Sequence, residues 1–286
     1  MVIILFSGLA FVSNVQASTP VSGTLTSDIT WTKANSPYYF TGNVAVVTNV
    51  TLTIAPGVTV NFGNYNLEVN GTLIARGTIS DKIVFLNNST NVFFTRQIMF
   101  TRYSTSWNEQ SGQGCIIENA KLKSISIIIN NASPKIDNNE IDTTILISGG
   151  SPIITNNNMT LRSDGINIMN SSPVISHNTL RGNGFAMGIY GSGNVTISKN
   201  IISKFNTGIK VYSGAYQITE NSITDCYTGI EVGTGAMATI QKNLINNNGQ
   251  NGFPEAAATL IAILLLTIRL ESITPLLDQS LTITIS

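Results

Sequence analysis

The sequence predicts an all-β chain, a right-handed single-stranded parallel β-helix (solenoid), on three observations. An asparagine recurs in the frame Ile-x-x-Asn-x-(Ile/Leu/Met), a Gly-Ile pair runs in phase with it, and the residues between show no 3.6-residue apolar rhythm. The frame starts at Ile136, Ile154, Ile175, Ile197, Ile218 and Ile240, and its asparagines are Asn139, Asn157, Asn178, Asn200, Asn221 and Asn243, spaced by 18, 21, 22, 21 and 22 residues. The pair stands at Gly165, Gly188, Gly208 and Gly229, in each case 12 to 14 residues before the next motif asparagine. A period near 21 residues holds at least two short strands and has no room for a returning helix, so each unit must coil as strands alone.

In such a coil the motif Ile and the apolar residue five positions later point inward, and equivalent residues of successive coils lie about 4.8 Å apart. The motif Asn, at a bend, is expected to pass amide hydrogen bonds to its counterparts above and below, a structural ladder. Phe185, Phe205 and Cys226, three residues before a Gly-Ile, are expected to form another inward row. Lys199, Glu220 and Lys242 become vertical neighbours on the solvated face, as do Lys210 and Glu231.

Residues 115–252 are thus read as regular repeats of about 21 residues. Residues 18–114 are read as amino-terminal coils, with Ile54-Ala-Pro-Gly-Val58 and Gly71-Thr-Leu-Ile-Ala75 among their strands and an irregular stretch near 93–114. Terminal units of a solenoid are atypical because they close its core. Residues 1–17, apolar and ending in small residues, are expected to be a signal peptide. Residues 253–286 form an apolar tail that fits no coil, a weak membrane anchor or the product of a frameshift whose corrected reading regenerates the repeat.

Only 10% of the 286 residues are charged and the net charge is zero, so no basic field exists to hold a phosphate backbone. Nucleic acid is therefore excluded as a partner. The expected environment is secreted, periplasmic or cell-surface, the expected state monomeric, and no confident membrane span is foreseen. Cys115 and Cys226 lie about five coils apart, beyond disulfide reach, and read as small buried apolar residues.

On these residues the chain resembles the right-handed β-helix proteins with pectate-lyase-type repeats. The Ser-Pro units at Ser133, Ser151 and Ser172 are most similar to those of bacterial and archaeal surface proteins and of the periplasmic accessory protein of nitrous oxide reductase. The resemblance implies a fold shared by lyases, hydrolases, adhesins and inert spacers. Enzymes of the family imply clustered aspartates with a His and an Arg-x-Lys, or calcium-binding acids with a basic residue; neither set is found, and no catalytic residue is assigned. The accessory-protein likeness implies copper delivery, yet the chain lacks a cluster of His, Cys or Met to hold it. His177, the only histidine, reads as a surface residue.

Two binding candidates remain. Asp137, Glu140, Asp142 and Asp164, from adjacent coils, are a weak calcium candidate; otherwise no cofactor is expected. Tyr190, Tyr212, Tyr216 and Tyr227 come from neighbouring coils and are candidates for stacking on sugar rings of a polysaccharide or cell-envelope glycan. The expected function is an exported, non-catalytic structural or carbohydrate-interacting protein. A polysaccharide lyase or glycoside hydrolase, and a periplasmic metal-delivery protein, are the alternatives.

Overall fold

The computed structural model describes residues 18–87, 96–249 and 282–285. The signal-peptide and most of the tail expectations fall outside them, and of 282–285 only the backbone is described. The described chain winds as a parallel β-solenoid of about 10 turns. Its cross-section has three sides, each a parallel sheet. The first sheet stacks Ile29–Trp31, Thr51–Ile54, Thr72–Arg76, Ile116–Glu118, Lys135–Asp137, Ile153–Thr155, Val174–Ser176 and then the distal part of Met187–Ser198. The second sheet runs from the leading part of Tyr38–Val46 through Thr59–Asn61, Ile83–Leu86, Ala120–Lys123, Glu140–Ile141, Asn158–Thr160, Thr179–Arg181, Ile201–Ser203 and Ser222–Thr224 to Leu244–Asn246. The third includes Arg96–Phe100, Ile125–Asn130, Ile145–Ser148, Ile166–Ser171 and the leading parts of Met187–Ser198 and Thr207–Thr219. The backbone of Thr282–Ile285 pairs antiparallel with Met237–Gln241.

The register places like above like. Ile136, Ile154, Ile175, Ile197 and Ile218 pair one above the next and are fully buried. Ile141, Met159, Leu180, Ile202 and Ile223, five residues after each, form a second buried column. Ile145, Ile166, Ile189, Ile209 and Ile230 form a third. Burying each such side chain contributes about 1.5 to 3 kcal/mol, so the bore of the solenoid is its main source of stability. In the first turns aromatics take over this role: Trp31 stacks on Tyr38 at 4.8 Å, Phe40 lies 4.7 Å from Phe62, and Phe62 meets Phe85 edge-on at 6.2 Å.

The bend between the first and second sheets has one geometry at every motif asparagine. The residue before each motif asparagine is left-handed: Asn138 (φ 52°), Asn156 (57°), His177 (57°), Lys199 (57°), Glu220 (58°) and Lys242 (55°). Asparagine tolerates this region, whereas a lysine or glutamate there is held by the coil at a cost of about 1 to 2 kcal/mol. The Lys199–Glu220 ion pair, 3.9 Å long and half exposed, offsets little of it. Lys199→Asn is therefore expected to raise stability by about 0.5 to 1 kcal/mol, read as a higher thermal midpoint. An unchanged or lower midpoint would show that the bend carries no strain.

The structure corrects two readings of how the chain coils. Strand Arg96–Phe100 pairs with Leu67–Val69 and Ile125–Asn130, so the irregular part of 93–114 among described residues is the excursion 101–114. Phe185 does not join the inward row, being 80% exposed while Phe205 and Cys226 are buried. Its turn holds ten residues from motif Asn178 to Gly188, where the two turns below hold eight, and within the surplus Asn183 and Phe185 are exposed while Ala186 is buried. The vacated space is filled from below by the ring of Phe205, which lies over Gly182.

Cys115 and Cys226 are free and buried. Burial pushes both thiols up to about 11, so they stay protonated and unreactive near neutrality.

Candidate functional site

The motif asparagines form a hydrogen-bonded column inside the first bend. Asn178 donates its backbone N–H and one Nδ2 hydrogen to Oδ1 of Asn200 at 2.9 and 3.0 Å, and Nδ2 also donates to the Ile154 carbonyl of the turn above at 2.9 Å. Asn139, Asn157, Asn200 and Asn221 repeat these contacts with the residues in register. Above Asn139 the column ends at Ala120, whose N–H donates to Asn139 Oδ1 at 2.8 Å. Every amide in the column is thereby used for backbone satisfaction across three turns, which leaves it nothing to offer a ligand.

The four acidic residues of the calcium candidate do not come together. Asp137 faces out from the first sheet, 3.6 Å from Lys135, and accepts from Asn156 Nδ2. Glu140 lies on the second sheet, 2.7 Å from Lys82 and 3.1 Å from Lys121. The Lys82 hydrogen bond, then that from Lys121, holds its carboxyl below the usual range. Asp142 accepts the Ser124 N–H at the next bend. Asp164, ahead of the third sheet, accepts the Met187 N–H and the Tyr190 hydroxyl, both at 2.9 Å. Acids adjacent in sequence are spread around the solenoid by its corners, and among the described residues no group of three or more His, Cys, Asp or Glu is placed to hold a metal.

The tyrosines divide. Tyr216 is 1% exposed and belongs to the core, which corrects its reading as a sugar platform. It precedes the inward Ile218 by two residues, and strand alternation puts both on the same face. Its buried hydroxyl has no partner, and burial keeps the phenol neutral far above its ordinary range. Tyr227, 44% exposed, lies just ahead of the third sheet.

Tyr190 and Tyr212 do meet. Tyr190 faces out from the third sheet in a row with Asn167 above and Lys210 and Glu231 below. Tyr212 is the extra residue of a bulge: Gly191 pairs with Val211 and Ser192 with Ser213, so Tyr212 has no partner and is turned out of the sheet. Its ring, 44% exposed, stands edge-on to Tyr190 with centroids 6.3 Å apart. Lys210 Nζ lies 5.4 Å above the Tyr212 ring and 2.9 Å from Glu231. Desolvation, and after it the Asp164 hydrogen bond, drives the Tyr190 phenol well above its usual range, so it stays a neutral donor. The bulge was readable as ten residues from Gly208 to Ile218 where the turn above has nine from Gly188 to Ile197, but not its consequence.

Elsewhere, an open cleft of about 720 Å³ lies beside residues 77–80, lined by Pro56, Arg76, Ile79, Glu118 and Asn119. Arg76 there is already engaged, donating to the Gly112 carbonyl at 3.0 Å and lying over the Trp107 ring. His177 is exposed on the left-handed bend. Among the described residues no helix is long and apolar enough to cross a membrane.

Comparison with known proteins gives one family match: the model of the right-handed β-helix region fits residues 125–259, which takes in most of the regular turns. The solenoid is thus a right-handed one, the hand expected when a parallel strand returns to the same sheet. No curated protein and no solved structure matches the chain.

Proposed function

We propose that this β-helix is an exported, non-catalytic, monomeric protein that binds polysaccharide or cell-envelope glycan through the outer face of its third sheet. The observation that carries this reading is the bulge that turns Tyr212 outward beside Tyr190, two aromatic rings on a rigid sheet with hydrogen-bonding side chains around them. Sugar rings stack their C–H faces on such aromatics, and a platform fixed before the ligand arrives costs little ordering on binding. The surrounding polar groups favour holding over cleaving. Asp164 is occupied by Tyr190 and the Met187 N–H, Lys210 is paired with Glu231, and Tyr190 is too basic as a phenolate to be the base at neutral pH.

Export agrees with the apolar amino-terminal run and with the sparsely charged, Asn- and Thr-rich composition, both properties of the sequence. The purified protein, presented with a panel of polysaccharides with and without calcium, is expected to bind without producing new unsaturated or reducing ends. New chain ends from any member of the panel would make it an enzyme instead.

A further inference from the structure

We infer that the Tyr190–Tyr212 surface takes an uncharged glycan and rejects polyuronates. This rests on the glycan-binding reading above and adds the ligand's charge. The row that carries the rings runs Asn167, Tyr190, Lys210, Glu231, with Asp164 joined to the Tyr190 hydroxyl at 2.9 Å. These side chains bring two carboxylates and one cation. That cation is spent: Lys210 lies 2.9 Å from Glu231 and faces the Tyr212 ring. Arg162 and Lys204 precede the third-sheet strands, at the bend on the far side of Asp164 from Tyr212.

A polyuronate carries a carboxylate on every sugar. Laid along the rings it would set those charges against Asp164 and Glu231, and the cation that faces Tyr212 among the described residues, Lys210, is already paired with Glu231. Like charges a few ångströms apart repel, and the partly dry surface beside two aromatic rings strengthens the effect. An uncharged pyranose chain meets the opposite situation. Its hydroxyls donate to the remaining lone pairs of Asp164 and Glu231 and exchange hydrogen bonds with the Asn167 amide, while its ring faces cover Tyr212. The arrangement follows from the solenoid itself, which sets one residue of each turn beside the next and leaves no freedom to move a cation into the row.

The test compares retention of the whole protein on soluble β-glucan, galactomannan and arabinoxylan with retention on polygalacturonate, for the natural chain, Tyr212→Ala and Lys210→Met. At least one uncharged polymer is expected to bind, with affinity changing less than about twofold between roughly 50 and 500 mM NaCl. Tyr212→Ala is expected to weaken it about tenfold, the worth of one aromatic stack, and Lys210→Met less than about threefold. Tight, salt-sensitive binding of polygalacturonate that both variants weaken would overturn the inference while leaving a glycan site at these rings. Binding of an uncharged polymer unaffected by Tyr212→Ala would overturn it by placing the site elsewhere. Retention on none of the polymers would remove the glycan reading itself.

Discussion

Replacing Asn200 by Leu is expected to lower the free energy of opening the turns around it by about 4 kcal/mol, although the two side chains are close in size. Asn200 Oδ1 accepts the backbone N–H of Asn178 at 2.9 Å and its Nδ2 at 3.0 Å, while Asn200 Nδ2 donates to the Ile175 carbonyl at 3.0 Å and to Asn221 Oδ1 at 2.9 Å. Leucine supplies none of these. The Asn178 N–H is then left buried without a partner at about 1 to 3 kcal/mol, the Ile175 carbonyl loses one of its donors, and the Asn178 amide loses one of its acceptors. The effect should be local because each turn touches only its neighbours, so it is best read by hydrogen exchange of backbone amides in the flanking strands. Asn243 is half-buried and stands at the last complete bend described, so Asn243→Leu should cost about 1 kcal/mol. Equal effects at the two positions would mean that the column does not satisfy the interior of the bend.

Gly188→Ala is expected to be nearly as damaging, about 3 kcal/mol, for a different reason. A Cβ at Gly188 would lie 2.4 Å from the Gly208 carbonyl oxygen, with Ile202 Cγ2 and Phe205 Cδ2 each at 3.2 Å. Gly165 faces Gly188 at 2.3 Å and Gly208 faces Gly229 at 2.7 Å in the same way. The glycines of the Gly-Ile pair therefore form a column in which each turn leaves room for the backbone below. Only a shift of that carbonyl relieves the contact, and two strands of the third sheet would move with it. Chemical denaturation reads this loss, and in it Thr179→Ala, outward-facing and exposed, should stay within about 0.5 kcal/mol of the natural chain. A Gly188→Ala protein as stable as that control would show that neighbouring turns stand further apart than described here.

The contrast between these columns shows what a single sequence conveys of such a fold. Spacing alone made the Asn139–Asn243 column, the buried isoleucines and the Lys210–Glu231 pair legible, because in a solenoid a repeat in sequence becomes a neighbour in space. Tyr216 was also within reach: counting two back from Ile218 puts it inside, whatever its chemistry suggests. Phe185 was not, because its position depends on two additional residues whose accommodation is a three-dimensional matter of which one loops out. The left-handed backbone of Lys199, Glu220 and Lys242 was hidden for the same reason, since the coil imposes it on residues that would not choose it. The four acids misled because closeness in sequence was taken for closeness in space, and corners intervene between them.

The candidate site is the hardest part to read from residues alone. Lys210, Glu231 and Tyr190 declare their row by register, but that Tyr212 joins them follows from a one-residue surplus being absorbed at Tyr212 itself.

The central claim is that successive turns set equivalent side chains in contact, with the asparagine amides as the closest witnesses. Nitrogen-resolved exchange of the side-chain NH2 groups measures this in solution. The Nδ2 hydrogens of Asn157, Asn178, Asn200 and Asn221 should exchange slowly, as protected as core backbone amides, while those of the exposed Asn130 exchange at once. Free exchange at the four column positions would contradict the stacked solenoid at its core.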